Sequence, residues 1–219
     1  REVDGPSGHA IIEINAVGQN RIIVYGGANR SMTENYIERV LAAAQPDDLV
    51  LLQNEVNLVP EIIRRAHDKG LRVVFNPSPV PENLDALPLA CVSLFMVNEI
   101  EAAQLAGTDA NAAFEDTLTA LRTKYPNASV VMTVGADGVL YDGEDGRFQL
   151  PVFKVKAVDT TAAGDTFCGY FLAAVCAGKS VQTALQEASA ASAIAVSRAG
   201  AAPSVPTADE VQEFLRRHA

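Results

Sequence analysis

The stretch Asp48-Leu49-Val50-Leu51-Leu52-Gln53, then Pro60-Glu61-Ile62-Ile63-Arg64-Arg65-Ala66-His67, then Leu71-Arg72-Val73-Val74-Phe75, decides the fold class. The outer segments are short apolar runs, as for strands covered on both faces. The middle segment opens on a proline, which suits a first helical turn, and Gly70 stops it. Strand, helix and strand in that order form a βαβ unit with parallel strands.

The same rhythm continues outward. Leu94-Phe95-Met96-Val97 predicts a strand, residues 99–105 and 111–124 two helices, and residues 129–134 another strand. Val139-Leu140-Tyr141 predicts a return strand turning at residues 142–146, and residues 153–158 predict one more. Residues 163–177 and 181–197 are Ala-rich helices, fit for close packing. Thr207 with Glu210 is a capping box for a last amphipathic helix. Upstream, residues 9–14 and 21–25 predict a hairpin, and Ser31 with Glu34 predicts a capping box for a helix to about Ala44. The expected architecture is α/β, with a mainly parallel central sheet and a small hairpin element.

Composition narrows the function. The chain has 219 residues and a formal net charge of −10, so it is long enough to bury a core without a metal or disulfide staple. It lacks the basic balance of a non-specific nucleic-acid binder. Its apolar runs are too short and broken to span a membrane. Cys91, Cys168 and Cys176 form no CxxC pair and read as buried free thiols of a reducing, cytoplasmic environment. His9, His67 and His218 are scattered and read as surface or structural residues.

Chemistry concentrates in Asp159-Thr160-Thr161-Ala162-Ala163-Gly164-Asp165-Thr166-Phe167. Three small residues at a helix start leave backbone N–H groups unshielded, and these with the positive helix end make an anion site. Asp165 falls in the first turn and has two readings. One is a structural carboxylate at a helix N-terminus. The other is a general base beside a phosphate in transfer. No GxxxxGK[ST] run is present, so the chain is not a P-loop NTPase. No GxGxxG follows a first strand, which argues against a Rossmann oxidoreductase.

The 159–167 run resembles the D-T-x-[GA]-A-G-D signature of the ribokinase-type (PfkB) carbohydrate kinases. Four further stretches are similar to that family's motifs: Asn76-Pro77-Ser78-Pro79, Asn98-Glu99-Ile100-Glu101, Thr133-Val134-Gly135-Ala136-Asp137-Gly138 and the run 195–204. The resemblance implies a three-layer α/β/α fold with a β-hairpin lid, and ATP-dependent phosphorylation of the primary hydroxyl of a small sugar. Ribose is the sugar it favours, with fructose, deoxyribose, nucleosides and ketodeoxygluconate as alternatives. It implies Asp165 as base, with the N–H groups of Ala162, Ala163 and Gly164 receiving the γ-phosphate. Thr133, Gly135, Ala136, Asp137 and Gly138 would line the nucleotide, Ser189 would meet adenine, and Glu55 would contact the sugar. Asn98 and Glu101 would hold Mg²⁺ through water, although the pair also reads as a strand-to-helix cap. K⁺ would sit among Asp159, Thr161, Ala195, Arg198, Gly200 and Ser204, mostly on carbonyls.

The resemblance further implies a homodimer through the lid at about residues 8–25, and a nucleotide and catalytic half at about residues 90–219. The family's first βαβ units, its sugar-gripping Asp and its G-G-K-G-x-N signature have no counterpart among these residues. The expectation is therefore a partial kinase domain over residues 1–219, with a non-catalytic ATP-binding module as the competing reading.

Overall fold

The computed structural model describes residues 2–14, 20–81 and 83–218. The chain divides into two compact units, Arg1–Phe95 and Met96–Ala219.

The first unit opens with an antiparallel hairpin of β1 (His9–Ile14) and β2 (Asn20–Tyr25), in register His9 opposite Tyr25. The hairpin loop lies outside the described residues. Gly27–Arg30 then forms a single 3-10 turn. Helix α1 (Glu34–Ala42) is capped by Thr33, whose side chain accepts from the Tyr36 N–H. The expected cap at Ser31 is corrected for a local reason: the Ser31 N–H donates to Ala28 O and closes the preceding turn, which delays the helix. Strand β3 (Leu49–Gln53), helix α2 (Val59–Asp68) and strand β4 (Arg72–Asn76) are the expected βαβ unit, and β3 runs parallel to β4 from Leu49–Arg72 to Gln53–Asn76. Helix α2 buries Ile62, Ile63 and Ala66, and β4 buries Val73, Val74 and Phe75. Strand β5 (Leu94–Asn98) adds in parallel, Val74 opposite Leu94 and Phe75 opposite Phe95.

The second unit holds α3 (Glu99–Ala106), α4 (Phe114–Lys124), β6 (Ser129–Thr133), β7 (Val139–Gly143), β8 (Gly146–Leu150), α5 (Ala163–Cys176), α6 (Val181–Val196) and α7 (Ala208–His218). Strands β6, β7 and β8 form an antiparallel meander whose last hairpin closes with Gly143 opposite Gly146. Strand order across the sheet is β3-β4-β5-β6-β7-β8. The sheet is thus the expected mainly parallel one, flanked by helices, with the meander at one edge and the β1–β2 ribbon as a separate small sheet.

Two further expectations change. Residues 153–158 are not a strand. Their alternation is satisfied by packing instead: the Phe153 ring meets Phe214 of α7 edge-on at 5.3 Å, and the N–H groups of Val158 and of the following Asp159 both donate to Val196 O. Nor are all three thiols buried, for Cys176 is exposed while Cys168 is buried and its Sγ lies 3.3 Å from Met96 Sδ. Burial, and behind it the charge of Asp165, pushes the Cys168 thiol up to about 11, so it stays protonated at neutral pH.

Helices α5 and α6 pack against each other, and α6 is rich in small buried residues; Ala184, Ala188, Ala190 and Ala191 are fully buried. Helix α7 is tied on by its capping box, with the Thr207 N–H donating to Glu210 and the Glu210 N–H donating to the Thr207 hydroxyl. Buried Glu187 also holds it, accepting from the exposed Lys179 at 2.7 and 2.8 Å and from Gln212 of α7 at 2.9 Å. No helix among the described residues is long and apolar enough to cross a membrane.

Candidate active site

The second unit contains a cavity of about 660 Å³. Its floor comes from the β6–β7 connection, through Thr133, Gly135, Ala136, Gly138 and Val139. Helix α6 contributes Ser189, Ser192, Ala193 and Val196, and the segment after β8 contributes Val152, Phe153, Lys154, Val155 and Ala157. Thr160, Ala163, Gly164 and Phe167 bring the start of α5 to the same wall.

Each part has a local cause. The β6–β7 connection is a 3-10 turn closed by the Val134 N–H donating to Gly138 O at 2.9 Å. Gly138 sits at φ +102°, and a Cβ there would stand 2.0 Å from Leu150 O, so only glycine lets β8 pass. Gly135 also has positive φ, at +53°, but a Cβ there would meet nothing within 4 Å.

The start of α5 is unusual. Its N-cap is Ala162, at φ +61°, with no side-chain cap bond. A left-handed alanine is strained by roughly 1–2 kcal/mol. The Gly164 N–H has no hydrogen-bond partner among the described residues. A Cβ on Gly164 would meet nothing within 4 Å, so the protein's own packing does not require a glycine there. An uncapped helix start of this kind has donors directed at an anion and space for it to approach. Asp165 follows at the third helical position and is exposed. The buried Thr166 hydroxyl has no hydrogen-bond partner among the described residues, a second unsatisfied polar group in the same turn.

Asp159 fixes the loop that feeds this turn. Its Oδ1 accepts from the Thr161 N–H and its Oδ2 from the Gly200 N–H, both at 2.9 Å. These bonds, led by those from Thr161, hold its carboxyl at about 2, below the ordinary 3.8. Ser192 supplies a brace that the sequence reading missed, its hydroxyl donating to Ala163 O at 3.1 Å.

Residues 1–208 match the pfkB family carbohydrate kinases. The chain belongs to that family. A ribokinase of Haemophilus influenzae is 34% identical over 214 residues, 95% of this chain and 69% of that protein. A deoxyribokinase of Salmonella typhi is 30% identical over 213 residues, again 95% of this chain and 69% of that one. The structure of an Arabidopsis thaliana ribokinase complexed with ribose and ATP superposes with a TM-score of 0.80 at 28% identity, covering 97% of this chain and 70% of that one.

In this pfkB chain the structure gathers part of the expected set on the cavity: Thr133, Gly135, Ala136, Gly138, Ala163, Gly164 and Ser189 line it. Ala162 and Asp165 adjoin it in sequence, while Asp137, an exposed turn residue, is not in its lining. Phe153, Lys154 and Ser192 are additions the sequence did not single out, and Phe167 of the 159–167 run joins them in the lining. Asn98 and Glu101 form a reciprocal capping box at the start of α3: Asn98 Oδ1 accepts from the Glu101 N–H at 2.8 Å and Glu101 Oε2 from the Asn98 N–H at 3.0 Å. The strand-to-helix cap is therefore real, and the oxygen-only donor set of the pair also suits a hydrated Mg²⁺.

Among the expected K⁺ residues, Asp159, Thr161 and Gly200 are joined directly, and the Ala195 carbonyl accepts from the Arg198 N–H. The Arg198 guanidinium is committed to Glu210, so only its carbonyl suits a cation. Ser204 is buried, its hydroxyl donating to Ala201 O at 2.7 Å. Carbonyl and carboxylate oxygens are the right donors for a hard monovalent cation. Among the described residues no three His, Cys, Asp or Glu side chains cluster as a ready metal site. Glu55 belongs to the first unit, exposed in the turn after β3.

Two outcomes test this geometry. Gly138→Ala should cost about 2 kcal/mol of unfolding free energy or more, and Gly135→Ala only about 1. Equal costs in urea unfolding would contradict the close approach of Leu150. The contribution of Asp159 to stability should be full above about pH 4 and vanish as pH falls through about 2, because its folded value lies below 3.8. The stability gap between wild type and Asp159→Asn should therefore narrow between pH 6 and pH 2.5; a constant gap would refute the assignment.

Proposed function

We propose that the protein transfers the γ-phosphoryl group of ATP to the primary hydroxyl of a small sugar, with ribose as the first assignment. The observation that carries this reading is the uncapped, uncrowded start of α5, which closes one wall of the cavity and is followed at once by an exposed carboxylate. In the proposed reaction Asp165 accepts the proton of the sugar hydroxyl as its oxygen attacks the γ-phosphorus. The bond to the β-phosphate oxygen breaks and ADP leaves. The N–H groups of Ala162, Ala163 and Gly164 receive the charge on the transferring group, that of Ala163 exchanging its 3.2 Å bond to Thr160 O for the phosphate. Such transfer is mainly positioning and charge stabilisation, so one base and one anion hole suffice.

Thr133, Gly135, Ala136, Gly138 and Ser189 are assigned to the nucleotide. Bound Mg²⁺, assigned to Asn98 and Glu101 through water, would neutralise phosphate charge. Bound K⁺, assigned to Asp159, Thr161, Ala195, Arg198, Gly200 and Ser204, would stiffen the loop behind the anion hole. The two-stranded ribbon leaves Ile11, Ile23, Val24 and Tyr25 exposed at 55, 47, 68 and 51%, which supports a homodimer through this element.

Activity is to be measured with the full-length protein, ATP and a panel of ribose, 2-deoxyribose, fructose, adenosine and ketodeoxygluconate. The greatest kcat/KM is expected with ribose. Nucleotide binding without turnover on any acceptor would instead identify a binding module. Asp165→Asn should lower kcat by about 10²–10⁴-fold and leave ATP affinity unchanged. Near wild-type turnover would reject the base. Replacing K⁺ by a bulky organic cation should lower the rate, and equal rates would remove K⁺ from the account.

A further inference from the structure

The cavity has one property that its proposed occupant makes consequential. Of all its lining residues, only Lys154 is ionisable. The rest are apolar, glycine or hydroxyl side chains. Lys154 forms no ion pair or hydrogen bond among the described residues, so no carboxylate consumes its charge. The chain as a whole carries −10, a field that opposes approach of a polyphosphate.

The backbone at Lys154 is held although it belongs to no strand. On one side Phe153 packs edge-on against Phe214 at 5.3 Å and His218 at 5.8 Å. On the other, the N–H groups of Val158 and Asp159 bind Val196 O at 2.8 and 3.2 Å. Phe214 in turn packs on the buried cluster of Ala190, Ala191, Ile194 and Val211. The apolar stem of a lysine placed here covers cavity wall while its ammonium remains in water, ready for an anion.

We infer that Lys154 is an electrostatic contact for the phosphates of the bound nucleotide and sets the preference of the cavity for charged nucleotides over the uncharged nucleoside. This rests on the nucleotide-binding reading above. The ammonium is a point charge that follows a flexible ligand, complementing the fixed N–H groups at the start of α5.

The test is equilibrium titration of the full-length protein with ATP and, separately, with adenosine. Lys154→Met should weaken ATP about three- to tenfold and shift adenosine by less than about twofold. Lys154→Arg should restore ATP affinity. Lys156→Met, which removes the same charge two residues away at an exposed position outside the cavity lining, should leave ATP affinity unchanged. Equal weakening of ATP and adenosine by Lys154→Met would show a packing role and overturn the inference, as would unchanged ATP affinity. Equal effects of the two Lys→Met changes would reduce it to net charge and overturn it as well. If the wild type binds neither ligand, the nucleotide-binding reading itself fails, an outcome separable from all of these.

Discussion

Everything at the site depends on how α5 begins. A helix leaves its first N–H groups without internal partners, and most helices satisfy some of them with a Ser, Thr, Asp or Asn side chain. Here the cap position is a left-handed alanine that offers no acceptor, and the next residues are Ala163 and Gly164. The strain at Ala162 persists because its surroundings over-determine it. Asp159 grips Thr161 on one side and Gly200 on the other, Thr160 O accepts from the Ala163 N–H, and Ser192 binds the Ala163 carbonyl. A strained, uncapped turn held from three directions is a rigid helix start rather than a loosely ended one, which is what the proposed anion site requires.

That constraint resolves an apparent conflict in charge. A chain of net charge −10 is a poor attractant for a polyphosphate by its overall field. Partial positive charge at a helix end acts within the first turn and does not depend on a basic surface. Three carboxylates of the second unit are also engaged locally. Asp159 is saturated by N–H donors that hold it ionised, Glu210 is held at about 2 by Arg198 and the Thr207 N–H, and Glu101 accepts from the Asn98 N–H in the capping box. Their charge is balanced by hydrogen bonds and ion pairs instead of being left to repel a ligand.

The parts of this arrangement that depend on local chemistry were legible in the sequence. Apolar runs gave the strands Leu49–Gln53 and Arg72–Asn76, and the small residues before Asp165 located the α5 turn. Glycine spacing located the β6–β7 connection, where Gly138 is required by a neighbouring backbone that sequence alone does not reveal. What failed depended on distant contacts. Residues 153–158 alternate like a strand, yet their apolar side chains are used by α7 and the cavity, and no ladder forms. Ser31 and Thr33 are both capping residues, and the turn at Gly27–Arg30 decided between them. Ser192 and Lys154 carry no local motif, since packing between elements brings them to the cavity. Asn98 and Glu101 form the strand-to-helix cap, and their role toward Mg²⁺ belongs to the proposal.

The central claim is that the first turn of α5 receives phosphate. Hydrogen–deuterium exchange of the full-length protein, followed by mass spectrometry with ATP, with adenosine and without ligand, tests it most directly. ATP should slow exchange in peptides covering residues 160–167, and adenosine should leave that stretch unchanged while slowing residues 133–139. Exchange at 160–167 that is insensitive to ATP at saturating concentration would contradict the account.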